Sequence, residues 1–157
     1  MERRHLGRSG LRVSRIGLGT LGWARDTGEQ EAAAQLKAFW SAGGTLVDTA
    51  DVYADGGAEH LLGRLLDGLV ARRDLVIATK AGSVPDPERR VDASRGHLLA
   101  ALDDSLDRLG TDHVDLWQLH AFDAHTPLEE TLQALDTAVS SGRARYAGLC
   151  DFCGWQL

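Results

Sequence analysis

Leu75-Val76-Ile77-Ala78-Thr79-Lys80 decides the fold: a run of apolar and β-favouring residues that stops on a lysine. With a helical pattern on either side, such a run reads as a buried strand. Two other runs have the same form. Thr45-Leu46-Val47 stops at Asp48, and Val114-Asp115-Leu116-Trp117-Gln118-Leu119 stops at His120. In a parallel sheet every strand delivers its C-terminal end to one edge, about 4.8 Å from its neighbour. An acid, an ammonium and an imidazole therefore meet on one rim. A core would not select these groups there, whereas the C-terminal rim of a β/α barrel carries its chemistry in this way.

The lysine is informative by its type. Of 17 basic residues, only Lys37 and Lys80 are not arginine. A chain with that bias would supply a structural cation as Arg. Lys80 offers a compact ammonium that responds to its surroundings, which Arg cannot.

Outward from these strands, helical patterns alternate with them. Residues 29–42 put Ala32, Ala33, Leu36, Phe39 and Trp40 on one face and end at Gly43-Gly44. Residues 58–69 repeat the pattern through Leu61, Leu62, Leu65, Leu66 and Leu69, and residues 93–109 through Leu98, Leu102, Leu106 and Leu109. Thr126-Pro127-Leu128-Glu129 reads as a capping box with Pro at the first helical position. It opens a helix showing Leu128, Leu132, Leu135 and Val139. Thr27 with Gln30 reads as the cap of the first helix. Ile16-Gly17-Leu18-Gly19 and Tyr146-Ala147-Gly148-Leu149-Cys150 complete a set of five strands. Ahead of them, Arg4-His5-Leu6 and Leu11-Arg12-Val13 flank a Gly7-Arg8-Ser9-Gly10 turn and read as a β-hairpin. The order, a hairpin and then roughly five βα units, predicts an α/β protein with a parallel sheet, as one domain over residues 1–157.

Bulk composition narrows the function. Hydrophobic content of 43% and charged content of 25% are ordinary for a globular domain. A net charge of −6 argues against a nucleic acid or an anionic membrane as the main partner. No apolar stretch approaches the roughly 18 residues of a spanning helix, and Met1-Glu2-Arg3-Arg4 lacks a signal-peptide core. Two cysteines make no disulfide framework. The expected compartment is the cytoplasm.

Two motifs compete. Gly17-Leu18-Gly19-Thr20-Leu21-Gly22 matches G-x-G-x-x-G, with Asp48 ending the next strand, so a Rossmann-type dehydrogenase is one alternative. That fingerprint needs a helix opening at the glycines, and Trp23-Ala24-Arg25-Asp26-Thr27 intervenes. Cys150-Asp151-Phe152-Cys153 matches C-x-x-C, but no further cysteine and no suitably spaced histidine joins it, so no metal is expected. Asp48, Asp51, Asp55 and Glu59 fit no metal loop and read as solvated loop acids.

Tyr53, one of two tyrosines, follows Asp48 by one short loop and can reach back over the strand ends. Beside Lys80 its phenol becomes a proton donor. Asp48 would keep the ammonium oriented, and His120 could donate to a substrate oxygen. The set is an acid-catalysis constellation aimed at a polarised C=O group.

These residues resemble a known family. Leu6–Ser14, Gly17-Leu18-Gly19-Thr20, Val47-Asp48-Thr49-Ala50-Asp51-Val52-Tyr53, Ala78-Thr79-Lys80, Asp115-Leu116-Trp117-Gln118-Leu119-His120 and residues 142–148 look like the aldo-keto reductases, in the branch of bacterial enzymes and potassium-channel β subunits. The resemblance implies a (β/α)8 TIM barrel closed at the bottom by a hairpin, here a partial barrel holding the N-terminal half. It implies NADPH-dependent reduction of a small aldehyde or ketone without metal. It implies Tyr53 as general acid, Lys80 and Asp48 as its tuning groups, and His120 as the group that orients the carbonyl. Thr20 and Leu21, with Asp48, would line the cofactor, and Trp23 the substrate pocket together with Tyr53 and His120. The family's Ser-Asn pair that holds the nicotinamide carboxamide is Cys150-Asp151 here. Ionised Asp only accepts hydrogen bonds, where Asn both donates and accepts. Family chains are about twice as long, so weak or absent activity is expected from this chain alone. The alternatives are a non-catalytic half-barrel or binding module that pairs through its sheet edges with a second copy or a complementary half, and a gene fragment with no independent function.

Overall fold

The computed structural model describes residues 1–66 and 68–156. A hairpin of β1 (Arg3–His5) and β2 (Arg12–Ser14) comes first. The main sheet contains β3 (Gly17–Gly19), β4 (Leu46–Asp48), β5 (Val76–Ala81), β6 (Val114–Leu119) and β7 (Ala144–Leu149), in that spatial order and all parallel. Helices α1 (Glu29–Ser41), α2 (Gly57–Leu66), α3 (Arg95–Leu109) and α4 (Leu128–Ser140) form the crossovers. Sequential order with a helix between successive strands is the wall of a β/α barrel, here with open edges at β3 and β7. Gly17 and Gly19 lie within β3 and α1 begins only at Glu29, so the dinucleotide-turn reading is overturned.

The period-two alternation of the strands sorts their side chains. Val47, Ile77, Trp117 and Leu119 are buried beneath the helices, against Leu36, Leu61, Leu98 and Leu102. The alternate residues Leu46, Asp48, Ala78, Leu116, Gln118, Tyr146 and Gly148 line a cavity of about 570 Å³ on the concave side, with Leu6–Leu11 of the hairpin turn against it. At Gly63 the backbone carbonyl of Arg108 lies 2.6 Å from where a Cβ would stand, so α2 and α3 meet backbone to backbone.

Several local expectations are corrected. The α1 cap is Gly28, without a side-chain bond, rather than Thr27. Thr126 does not cap α4: its hydroxyl donates to Asp123 at 2.7 Å, and Pro127 holds the cap position. Trp40 is exposed at the end of α1, since Ala32 and Leu36 already fill the contact with the sheet. In α4 the buried stripe is Thr131, Ala134, Leu135 and Ala138, leaving Leu128, Leu132 and Val139 exposed. This helix flanks the open β7 edge, and Leu132 and Val139 line a recess with Ala147 and Leu149 of that strand. No helix among the described residues is long and apolar enough to cross a membrane.

Candidate active site

Lys80 belongs to β5 itself rather than ending it, and is 5% exposed. Its ammonium donates to Asp48 Oδ2 at 2.7 Å, to the Thr49 carbonyl at 2.9 Å and to the Tyr53 hydroxyl at 3.4 Å. Three acceptors from the end of β4 and the turn after it thus hold one cation. The turn is placed by the backbone. The β4–β5 ladder runs on past β4, through Thr49 N–H to the Ala78 carbonyl (2.9 Å) and Asp51 N–H to the Lys80 carbonyl (3.1 Å). Ala54, Asp55 and Gly56 then all take positive φ, at 51°, 52° and 84°, and reverse the chain into α2. Left-handed backbone at a non-glycine residue costs roughly 1–2 kcal/mol, so the surroundings must hold this turn in place.

His120 follows β6 directly, its N–H bonded to the Ala81 carbonyl at 2.8 Å. Its ring meets the Tyr53 ring edge to face, with centroids 6.0 Å apart. Burial first, then the Lys80 cation, push the imidazole below its ordinary range, against the opposing pull of Asp151 and Asp48. A neutral imidazole results at neutral pH. Its Nδ1 is buried with no partner among the described residues. An orphaned polar atom beside a phenol and an ammonium fits a site that takes up a polar oxygen.

The ion pair is asymmetric, because the Lys80 side chain is 6% exposed and that of Asp48 38%. Removing Asp48 leaves an ammonium buried with only a carbonyl and a phenol, whereas removing the cation leaves a carboxylate that water reaches. Asp48→Ala is expected to cost roughly 2–3 kcal/mol and Lys80→Met about 1 or less. Urea midpoints of the two variants check this, and the reverse order would contradict the burial argument.

The remaining expected site residues divide. Leu21 is exposed. Thr20 is fully buried, with its N–H and hydroxyl both donating to the Asp48 carbonyl at 3.0 and 3.2 Å, so it braces the acid instead of facing the mouth. Trp23 is 1% exposed, its indole N–H donating to Gln35 at 2.9 Å; the structure places it in the core rather than on a pocket wall. Its size and a polar partner on α1 suit it to seal the start of that helix. Cys150 and Asp151 follow β7 on the same rim, with Cys150 N–H bonded to the Leu119 carbonyl at 2.8 Å. Burial, then the Asp151 carboxylate, raise the thiol above its usual range, so it stays protonated.

Three features escaped the sequence reading. Glu59 is no loop acid: it is fully buried in the first turn of α2, bonded to the Thr79 hydroxyl and to Arg108 Nε (2.7 Å). Its spacing from Leu62 and Leu66, three and seven residues on, was the available signal. Asp123 ties the long loop after β5 to the loop after β6. Burial alone would raise this carboxyl, but the N–H groups of Ala93 and His125, the Thr126 hydroxyl and Arg89 hold it well below the carboxylate range. Phe122, Phe152 and Trp155 form an edge-to-face cluster, with Phe122 centroids 5.5 and 5.8 Å from the other two.

Comparison with known proteins bears on the family and the fold. The profile described as "Aldo/keto reductase family" matches residues 15–157. The chain is 35% identical to versiconal hemiacetal acetate reductase of Aspergillus parasiticus, over 100% of this chain and 53% of that protein. It is 39% identical to a probable voltage-gated potassium channel subunit beta of Oryza sativa subsp. japonica, over 100% of this chain and 48% of that one. An aldo-keto reductase of Bacillus halodurans, solved in its holo form, superposes with a TM-score of 0.86 at 34% identity, covering 97% of this chain and 51% of its own. The chain spans about half the length of the relatives it matches.

Proposed function

Since the chain belongs to the aldo/keto reductase family, we propose that it carries the carbonyl-protonating half of an NADPH-dependent reductase of small aldehydes or ketones. The observation that supports this reading is the convergence of Asp48, Tyr53 and Lys80 through one ammonium, with the His120 ring against Tyr53. Hydride for the carbonyl carbon would come from a reduced nicotinamide, when one is bound. Tyr53 gives its proton to the carbonyl oxygen, and the phenolate left behind faces the Lys80 ammonium. Asp48, 2.7 Å from that ammonium, keeps it aimed. Neutral His120 steadies the carbonyl oxygen by hydrogen bonding.

A barrel completed around the chain tests this. Residues 1–157 are joined to the C-terminal half of the Bacillus halodurans relative, and NADPH oxidation is followed with 4-nitrobenzaldehyde. Turnover is expected; a folded, NADPH-binding chimera with no turnover would overturn the assignment. Cys150 and Asp151 would face the nicotinamide carboxamide, and the Asp151 carboxylate can accept there but not donate. Asp151 has φ 53°, a conformation Asn adopts readily. Asp151→Asn in the chimera is therefore expected to tighten NADPH binding roughly tenfold, the equivalent of about 1.4 kcal/mol. Fluorescence titration measures it, and unchanged affinity would remove the residue from the cofactor site.

The open β3 and β7 edges and the exposed Leu128, Leu132 and Val139 favour a second reading, in which another copy or a complementary half completes the wall. Sedimentation of the chain alone distinguishes it, a stable monomer counting against it.

A further inference from the structure

The two faces of β5 do different work. Lys80 points to the concave side, while its neighbour Thr79 is buried on the helix side and donates to Glu59. Glu59 accepts from Arg108 Nε at 2.7 Å, and Arg108 Nη2 donates to Ser105 at 3.1 Å. A fully buried carboxylate is a costly way to join two helices, because apolar side chains of similar volume do so without desolvating charge. The pair has a second contact that accounts for it. A Cβ on Gly56, which closes the Tyr53 turn at φ 84°, would stand 2.6 Å from Arg108 Cδ and 2.9 Å from its Nε. The Arg108 side chain therefore lies directly against that turn. Asp51 lies in the same turn. Its Oδ1 is buried with no partner among the described residues.

We propose that Glu59, Arg108 and Asp51 are positioning residues for Tyr53, and that loss of one proton from Asp51 loosens the turn carrying the phenol. The charged groups around Asp51 set the sign. Glu59 faces it from α2 and Arg108 from α3; Asp48 and Lys80 lie on the concave side at β4 and β5, and Asp55 of the same turn is exposed. Arg108 is already committed to Glu59. An ionised Asp51 would repel Glu59, and the attraction of Arg108, which Glu59 already engages, offsets this only in part, whereas a protonated Asp51 fits beside Glu59. Burial first, and then the Glu59 charge, push the Asp51 carboxyl up to about 7. The change of state thus falls within the physiological range.

This inference rests on Tyr53 as the proton donor for its importance, but its test reads the position of Tyr53 directly. With ring-labelled tyrosine, the nuclear Overhauser contact between the Tyr53 and His120 rings is followed from pH 6 to pH 8. In the unaltered chain it is expected to fall about twofold, with a midpoint near 7. Asp51→Asn is expected to hold the low-pH intensity across the range, and Arg108→Leu to weaken the contact at every pH. A contact independent of pH in the unaltered chain would overturn the proposal. So would a pH dependence that survives Asp51→Asn, or a folded Arg108→Leu chain with the contact intact. Should Arg108→Leu fail to fold, the Asp51→Asn comparison decides alone. A pH-dependent contact abolished by Asp51→Asn, beside a completed barrel that reduces no carbonyl, would support the positioning unit and sink only the reductase reading.

Discussion

Tyr53→Phe is expected to slow carbonyl reduction 10²–10⁴-fold in a barrel completed around this chain, the span of a general acid's contribution. The ring and its packing against His120 survive this change; only the hydroxyl 3.4 Å from Lys80 is lost. That range corresponds to roughly 3–5 kcal/mol of transition-state stabilisation. The loss should appear in kcat with little change in KM, because the proton is needed only as negative charge gathers on the carbonyl oxygen. Steady-state rates with 4-nitrobenzaldehyde measure it. A Tyr53→Phe protein within a factor of about three of the parent would exclude the phenol as the acid.

The second large effect concerns stability. Asp51→Asn is expected to stabilise the fold, and more so as pH rises. The native carboxyl titrates near 7, raised from an ordinary value of 3.8 by burial and by Glu59. Between those two values the native chain binds more protons than the unfolded chain, so stability falls with rising pH across that window. Below about pH 4 the penalty is absent, and above about 7 it is complete. The full interval corresponds to as much as roughly 4 kcal/mol at pH 8. Urea unfolding of both forms at pH 4.5, 6 and 8 gives the profile. An Asn variant with the same advantage at all three would mean that Asp51 is already ionised in the native state at pH 4.5.

Much of the architecture was legible, for reasons tied to particular residues. The strand runs before Asp48, Lys80 and His120 combine β-branched residues with abrupt polar stops, and helix-period leucines lie between them. Order, parallelism and the shared rim follow from that alternation alone. The helix caps were less legible. Thr126 and Thr27 have the right type and spacing, but Asp123 claims the first hydroxyl, and the second has no cap bond because Gly28 holds the position. Tertiary partners decide such competitions, and local pattern does not contain them. Trp23 and Thr20 were misplaced by one criterion: a polar or aromatic residue near a rim can brace the rim from behind as readily as face the mouth. Glu59 illustrates the same difficulty in reverse. Its partners Thr79 and Arg108 lie 20 and 49 residues away in sequence, so its burial depends on contacts that no short window spans.

The strand order has a consequence for how the chain is made. Each strand of the main sheet after β3 pairs with the strand synthesised just before it. The nascent chain can therefore build its wall stepwise during translation, without waiting for a distant segment. Asp48 emerges first, and its cation follows 32 residues later on the adjoining strand. The ribosome thus releases this chemistry in the order in which its parts must find one another.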